Sequence, residues 1–179
     1  MPPQAPTPQP NTPAPQPMPR TDLNEISLDT NLSAAGLSMD WMQIFGTTTF
    51  KNANSDNNLG FGPRVASFGS ASALSADTLE KLQLIDEVAP AQKTAAAELI
   101  AQRVSSQIDF SKQDFVAVYM NDGGPPFGDY GYGMIGDTLE FCIAKKPNPS
   151  GISGMALQTI VKFYAAPKGL KVKQCGHKL

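Results

Sequence analysis

Runs in which apolar and polar residues alternate dominate the second half of the chain, and they predict β-strands. The run LQTIVKFY is the clearest, because Leu157, Thr159, Val161 and Phe163 would share one face of a sheet. Aromatic and β-branched residues also favour a strand over 41–50, with a bulge or break at Gly46. The predicted strands cover residues 41–50, 64–68, 115–120, 138–144, 155–165 and 170–174, and their spacing is typical of an antiparallel meander.

The segment between the second and third predicted strands has a helical pattern instead. Ser75 is a suitable N-cap, Asp77 suits the positive end of a helix dipole, and Leu79 and Leu82 begin an apolar stripe. Pro90 suits the first turn of a second helix, where its missing N–H is not needed. The pattern therefore predicts two helices within residues 75–104.

The order of strands, two helices and further strands predicts an α+β fold rather than alternating βαβ units. We expect an antiparallel β-sandwich-like domain with two helices inserted between strands, preceded by a disordered Pro-rich arm. The expected divisions are the arm over residues 1–20, an irregular segment with a first strand region over 21–62, and the β-rich domain over 63–179.

The first 19 residues of the arm contain nine of the sixteen prolines and no charged residue. Such a segment has little apolar surface to bury, so we expect an extended, partly polyproline II chain. Arms of this kind serve as semi-rigid spacers or as ligands for aromatic-lined grooves. The spacer is favoured here, since Arg20 is the one basic residue close to a PxxP pattern. Neutral Pro/Gln/Thr/Ala arms often follow the processing point of exported bacterial proteins, and the start of the sequence lacks the basic and apolar regions of a signal peptide.

The two cysteines, Cys142 and Cys175, cannot provide a four-ligand zinc site, and the single histidine is His177. A histidine-based metal centre or a Cys–His nucleophile pair is therefore not expected. Each cysteine is associated with a predicted strand, so the two sulfurs would pair if those strands are neighbours, and buried free thiols are the alternative. A disulfide would indicate an oxidising compartment. Together with the arm, it predicts an exported protein, periplasmic, cell-surface or secreted, whose signal peptide is absent from this sequence.

The glycine-rich stretch at 120–141 raises the question of a binding loop. Its GDYGYG segment reverses the glycine spacing of dinucleotide sites, and it precedes a predicted strand rather than a helix. Asp and Asn are present, but not at EF-hand offsets. The stretch is therefore interpreted as turns. Clustered aromatics beside it could form a binding face or cover the end of a sheet, and the candidate binding loop consists of Phe127, Asp129, Tyr130 and Tyr132.

No residue pattern indicates a catalytic, cofactor or metal site, so we expect a protein that is not an enzyme. Nothing in the sequence places two carboxylates together, and Asp109 and Asp114 flank a strand start where acids commonly lie in solvent. A hydrolase using carboxylates within 122–137 remains a distant alternative. GxSxG is absent, so a serine triad is also unsupported.

Charge and hydropathy narrow the range of partners. The net charge is −2 and the basic residues are scattered, so the chain has no basic face for nucleic acid. Its longest apolar runs are far too short to span a bilayer. These properties leave another protein, or a second copy of the chain, as the expected partner.

The order of these features over residues 64–173 resembles the PrcB C-terminal-type domain of bacterial protease-complex subunits and of many uncharacterised exported proteins. The resemblance rests on the order of five features. They are a strand that leads into a helix, an acid–aromatic–lysine segment before a valine-rich strand, a proline/glycine–tyrosine loop, two further strands, and a late proline. The corresponding segments are RVASFGSASALSADTLEKLQL, IDFSKQDFVAVYM, GGPPFGDYGYGMI, DTLEFCIAK and TIVKFYAAPKGLKVK. The glycine loop is longer and more acidic than the P-T-G-G-Y form of that family.

The resemblance implies an exported, non-enzymatic domain that acts through protein–protein contact and supports a surface protease or envelope complex. It implies no catalytic residue, because the family has none established. A structural subunit of a surface assembly, whose Pro-rich arm docks on a neighbouring protomer, is the alternative function.

Overall fold

The computed structural model describes residues 23–50, 58–123, 127–145 and 157–175. In these residues three α-helices and nine strands are present, so the α+β fold predicted from the sequence is confirmed. The helices are α1 (Trp41–Phe45), α2 (Ala71–Gln83) and α3 (Pro90–Ser105). The strands are β1 (Asn24–Glu25), β2 (Thr47–Phe50), β3 (Asn58–Phe61), β4 (Arg64–Phe68), β5 (Gln113–Gly123), β6 (Phe127–Ile135), β7 (Thr138–Lys145), β8 (Leu157–Pro167) and β9 (Lys171–Gln174). The Pro-rich arm predicted over residues 1–20 lies outside the described residues.

The middle layer of the molecule is a four-stranded antiparallel sheet with the order β1-β8-β5-β4. Its central pair, β5 and β8, is in register over eleven residue pairs, from Gln113–Pro167 to Gly123–Leu157. Both strands are rich in Val, Ala and aromatic residues because both faces of this sheet are covered. The predicted strands at 115–120 and 155–165 are therefore confirmed, with β5 longer than predicted.

Alternation along β5 and β8 divides their side chains between two cores. Phe115 and Phe163 face the helices, where their rings lie 6.0 Å apart between centroids. Val116 and Tyr164 face a second sheet, which β6, β7 and β9 form. The prediction that Val161 and Phe163 share one face is confirmed, and that face is the helix side.

The helix-side core is built around Trp41, which is fully buried. Its ring lies 5.0 Å from Phe45 and 5.9 Å from Phe163 between centroids, and its indole Nε1 donates a hydrogen bond to Thr78 of α2 at 3.0 Å. The polar atom of this large side chain is thereby satisfied inside the core. Trp41, from the segment 23–62, thus lies in the same core as Phe115 and Phe163 of the 63–179 region. The domain division predicted at residue 62 stays a prediction.

The predicted strand over 41–50 is wrong in its first half, which forms α1. Asp40 caps this helix by accepting a hydrogen bond from Met42 N at 2.9 Å, while the Gln43 side chain accepts one from Asp40 N at 3.0 Å. This reciprocal pair is a capping box, and it stabilises a helix start despite the aromatic composition of the segment. Only the second half, β2, is a strand, and it pairs with β3 in a separate two-stranded sheet.

The two inserted helices are confirmed, but α2 begins four residues earlier than the predicted N-cap Ser75. Ser70 is the N-cap, and its hydroxyl accepts a hydrogen bond from Ala73 N at 3.1 Å. Ser75 is therefore an interior helix residue. Pro90 occupies the first turn of α3, as predicted.

The third layer is a sheet with the order β6-β7-β9. It packs one face, with Leu139 and Phe141, on the middle sheet, which confirms the sandwich-like arrangement. The predicted simple meander is wrong in two respects: β5 pairs with β8 rather than with the next predicted strand, which is β7, and β7 and β9 run parallel.

The glycine-rich stretch interpreted as turns is mostly extended. Residues 120–123 end β5, and the GDYGYG segment lies in β6, in register with β7 from Tyr130–Ile143 to Ile135–Thr138. Only Gly136 and Asp137 form a turn among the described residues of the stretch, and Gly136 has a positive φ of 62°. The turn interpretation is therefore wrong for β6, because Tyr130, Tyr132 and Met134 at alternate positions pack on the core, which outweighs the low strand preference of glycine.

Candidate functional site

Cys142 and Cys175 form a disulfide, with their Cα atoms 4.9 Å apart, as the neighbouring-strand interpretation predicted. Cys142 lies in β7, and Cys175 follows β9 directly. The backbone N–H of Cys175 donates a hydrogen bond to Phe141 O at 2.8 Å, which extends the parallel ladder by one residue. The disulfide therefore joins the end of β9 to β7, the central strand of the second sheet. Structural disulfides are typical of oxidising compartments.

Glu140 lies on the same face of β7 as Cys142 and is 4% exposed. One of its oxygens, Oε1, lies 2.6 Å from Lys173 Nζ, while Oε2 has no hydrogen-bond partner among the described residues. A carboxylate oxygen and both sulfurs lie within 4.8 Å of one another. In the described part of the chain this is the one group that resembles a metal-ligand set, but the disulfide leaves neither sulfur free as a thiolate.

Asp114 is buried at 5% exposure, so the expectation that it lies in solvent is wrong. Its Oδ2 accepts a hydrogen bond from Gly169 N at 2.7 Å, and Lys168 Nζ lies 3.0 Å from its Oδ1. Lys168 also donates to Gly69 O. Asp114 therefore connects the start of β5 to the turn between β8 and β9, which is a structural role.

Four carboxylates in the described part of the chain have four different lysine partners. These are Asp109 with Lys112, Asp114 with Lys168, Asp137 with Lys171, and Glu140 with Lys173. Hydrogen bonds from Ser111 lower the pKa of Asp109, and the hydrogen bond from Lys171 lowers the pKa of Asp137. The arrangement is one of separate ion pairs.

The candidate binding-loop residues lie in strand β6 rather than in a loop. The rings of Tyr130 and Tyr132 face the interior, where Tyr132 contacts Phe141 and Tyr164 at centroid distances of 5.6 Å. Phe127 and Asp129 have described backbone positions only. The two tyrosines therefore belong to the core between the sheets, and binding by the four residues together stays a prediction.

The tyrosine hydroxyls inside this core are partly paired with one another. Those of Tyr130 and Tyr164 lie 3.2 Å apart and share a hydrogen bond, and Tyr132 accepts one from Leu23 N at 3.3 Å. Burial raises the pKa of Tyr130, with a smaller contribution from its hydrogen bond to Tyr164. Burial also raises the pKa of Tyr164. The hydroxyls of Tyr130 and Tyr164 therefore stay protonated at physiological pH, which suits a structural role.

The side of β8 that faces β1 has an open edge, meaning a part that no described strand covers. β1 pairs only with Tyr164 and Ala165, and Ile26 N donates one further bond to Phe163 O at 2.9 Å. No described strand pairs with this side of β8 from Leu157 to Lys162. Since the backbone groups of Phe163 point towards β1, those of Val161 and Thr159 point the same way, to the unpaired edge.

A groove of about 440 Å³ runs beside this edge where the chain turns away after β1. Its apolar and charged side chains lie together, and the salt bridge between Glu25 and Lys162 has an N–O distance of 2.8 Å. The hydrogen bond from Lys162 to Glu25 raises the pKa of the lysine. The groove is lined by Glu25, Ile26, Ser27, Leu28, Val161, Lys162 and Phe163.

Comparisons with known proteins add no relative to this description. No protein-family model matches the chain, and no curated protein or solved structure matches it either. None of the described helices is long and apolar enough to cross a membrane.

Sequence reasoning missed the β8 edge because pairing is not a property of one strand. The alternation in LQTIVKFY predicts the strand, but it does not reveal that β1 covers only its last part. A signal was present in the polar residues: Gln158, Thr159 and Lys162 interrupt the apolar run, which is typical of a strand that is not covered throughout.

Proposed function

We propose that this chain is an exported, non-enzymatic accessory domain that binds another protein through the open edge of β8. The observation that carries the proposal is that no described strand covers this side of β8 from Thr159 to Lys162, beside a groove of about 440 Å³. An extended peptide can add to such an edge, where backbone hydrogen bonds provide affinity and neighbouring pockets select alternate side chains. Apolar Ile26 and Val161 in the groove suit a partner segment with an apolar residue at every second position.

Three further observations support this function. The disulfide and the sequence of the Pro-rich arm agree with export. The buried Asp114 has a structural explanation in its contacts with the β8–β9 turn. The resemblance of residues 64–173 to the PrcB C-terminal-type domain further suggests a protease or envelope component as the partner.

The test begins with a photo-crosslinking amino acid at Thr159 of the full chain, expressed in its native source. Thr159 is exposed and lies in the middle of the open edge. We expect a covalent adduct with a second protein, identified by mass spectrometry. The same amino acid at Ile135, which is 58% exposed on β6, provides the control position and should give no such adduct.

Affinity is then measured by calorimetry with the purified partner. Thr159→Pro removes the outward N–H but none of the bonds to β5, so it should weaken binding by about tenfold or more. Thr159→Val keeps that N–H and should bind within about twofold of wild type. Equal affinity of both variants for the partner, or adducts from Ile135 alone, would contradict the proposal.

A further inference from the structure

A second recess, distinct from the β8 groove, lies between α1 and the β2–β3 hairpin. It has a volume of about 250 Å³ and a mainly apolar lining. The hairpin supplies one wall, and Ile85, which follows α2, supplies another. The side chains that form it are Met39, Gln43, Ile44, Thr47, Phe61 and Ile85.

Phe61 makes this recess unusual, because its ring is 56% exposed at the rim. Only one other large hydrophobic side chain among the described residues is comparably exposed, namely Ile135 at 58%. An exposed aromatic ring beside an apolar recess is typical of a surface that binds another chain.

Gln43 supplies a polar group at the same place. Its Oε1 accepts the capping hydrogen bond from Asp40 N at 3.0 Å, which fixes the orientation of the amide. No hydrogen bond from its Nε2 is present within the described residues, so the amide can donate to a ligand carbonyl. The recess thus combines an aromatic ring, an apolar floor and an oriented donor, and no charged side chain lines it.

We propose that this recess binds the Pro-rich arm of a second copy of the chain. Proline-rich segments dock on aromatic-lined apolar grooves, since their rings pack on the aromatic face and their carbonyls remain available to donors. The first 19 residues fit an uncharged recess, because they contain nine prolines and no charged residue. Proline also restricts the free chain, which reduces the entropy lost on binding.

The attachment point of the arm favours docking on a second copy, and the length of the arm permits it. Extended at about 3.1 Å per residue, 22 residues would reach roughly 70 Å, which is enough to meet a neighbouring molecule. The described chain begins at Leu23, whose side chain lies in the core between the two sheets. The recess adjoins α1 in the helix layer, on the other side of the middle sheet.

The experiment measures self-association of the full chain by sedimentation velocity over a range of concentrations. We expect a concentration-dependent increase in mass that is suppressed by a synthetic peptide of residues 1–22. Phe61→Ala should weaken the association constant by about tenfold or more, whereas Ile135→Ala, the matched exposed control, should change it by less than about twofold.

A second measurement keeps the result independent of variant stability. A photo-crosslinker at Thr7 is placed in wild-type chains, half of them isotopically labelled. Adducts that join a light arm to a heavy Phe61-containing peptide show docking between copies. A full chain that stays monomeric, a peptide without effect, or adducts confined to single chains would overturn the proposal. None of these outcomes bears on the β8 edge, whose test uses Thr159.

Discussion

At the scale of single residues, Asp114 joins three segments of the chain through one carboxylate. It lies at the start of β5, accepts a hydrogen bond from Gly169 in the β8–β9 turn, and is paired with Lys168, which also binds Gly69 after β4. Gly169 has a positive φ of 82°, so this turn has a defined backbone conformation that the carboxylate holds in place.

We predict that Asp114→Ala destabilises the protein by about 1–3 kcal/mol, because Gly169 N loses its acceptor and Lys168 loses its ion-pair partner. Asp114→Asn keeps an acceptor for Gly169 and should cost less. Urea unfolding monitored by circular dichroism gives both values. Equal stability of Asp114→Ala and wild type would show that the carboxylate has no such role.

The buried tyrosine pair makes stability depend on pH in the alkaline range. Burial raises the folded-state pKa of Tyr130, whereas an unfolded tyrosine ionises near pH 10. The unfolded state therefore binds fewer protons above pH 10, so stability is fully present below that pH and is lost as the pH rises. A single titrating group contributes at most about 1.4 kcal/mol of stability per pH unit. Because Tyr130 is only partly buried, solvent screening reduces its contribution below that limit.

We expect Tyr130→Phe to lose less stability than wild type between pH 10 and 11.5. Unfolding free energies measured in urea at several pH values provide the comparison. Wild type and variant should differ by a constant amount below pH 9, where neither state ionises this group. Parallel curves throughout the alkaline range would contradict the predicted effect.

At the scale of elements, α1 shows how local hydrogen bonds decide between helix and strand. The run WMQIFGTTTF has the composition of a strand, yet Asp40 and Gln43 form a capping box that begins a helix at Trp41. That signal is visible in the sequence as an acid followed three residues later by Gln. By contrast, the short pairing of β1 with β8 depends on contacts between distant residues, which no local pattern contains.

The shortest strand of the second sheet, β9, depends on the disulfide for its position. It pairs only with β7, over four residues, and the bond from Cys142 to Cys175 lies at its end. We predict that reduction lowers the free energy of unfolding by about 2–4 kcal/mol, because the open chain gains entropy when unfolded. Thermal unfolding with and without a phosphine reductant measures the change.

The Cys142→Ser/Cys175→Ser double variant serves as the control for this prediction. Its midpoint should match that of the reduced wild type and should not respond to reductant. A wild-type midpoint that is unaffected by complete reduction, verified by intact mass, would show that β7 and β9 hold together without the bond.

At the scale of the whole molecule, the sequence predicts the α+β class and most strands because β4, β5, β7, β8 and β9 each place side chains in at least one core. The valines of β5 and the alternation in β8 indicate which residues are buried. The residue pattern of a single strand does not indicate which strand lies beside it, so the β5–β8 pairing and the parallel β7–β9 pairing could not be predicted. The candidate site differs for the same reason: the edge of β8 is defined by where β1 stops.

The disulfide has a further consequence if the protein is stretched between its two ends. Tension that enters at Cys175 passes through the sulfur bridge to Cys142, so the loop between them, which spans a sequence separation of 33 and includes β8, carries no load. At about 3.4 Å per residue, the intact disulfide would make the fully extended chain roughly 110 Å shorter than it would be without the bond. A tethered chain under shear would therefore keep the covalent loop around its central strand closed, even after the surrounding layers had separated.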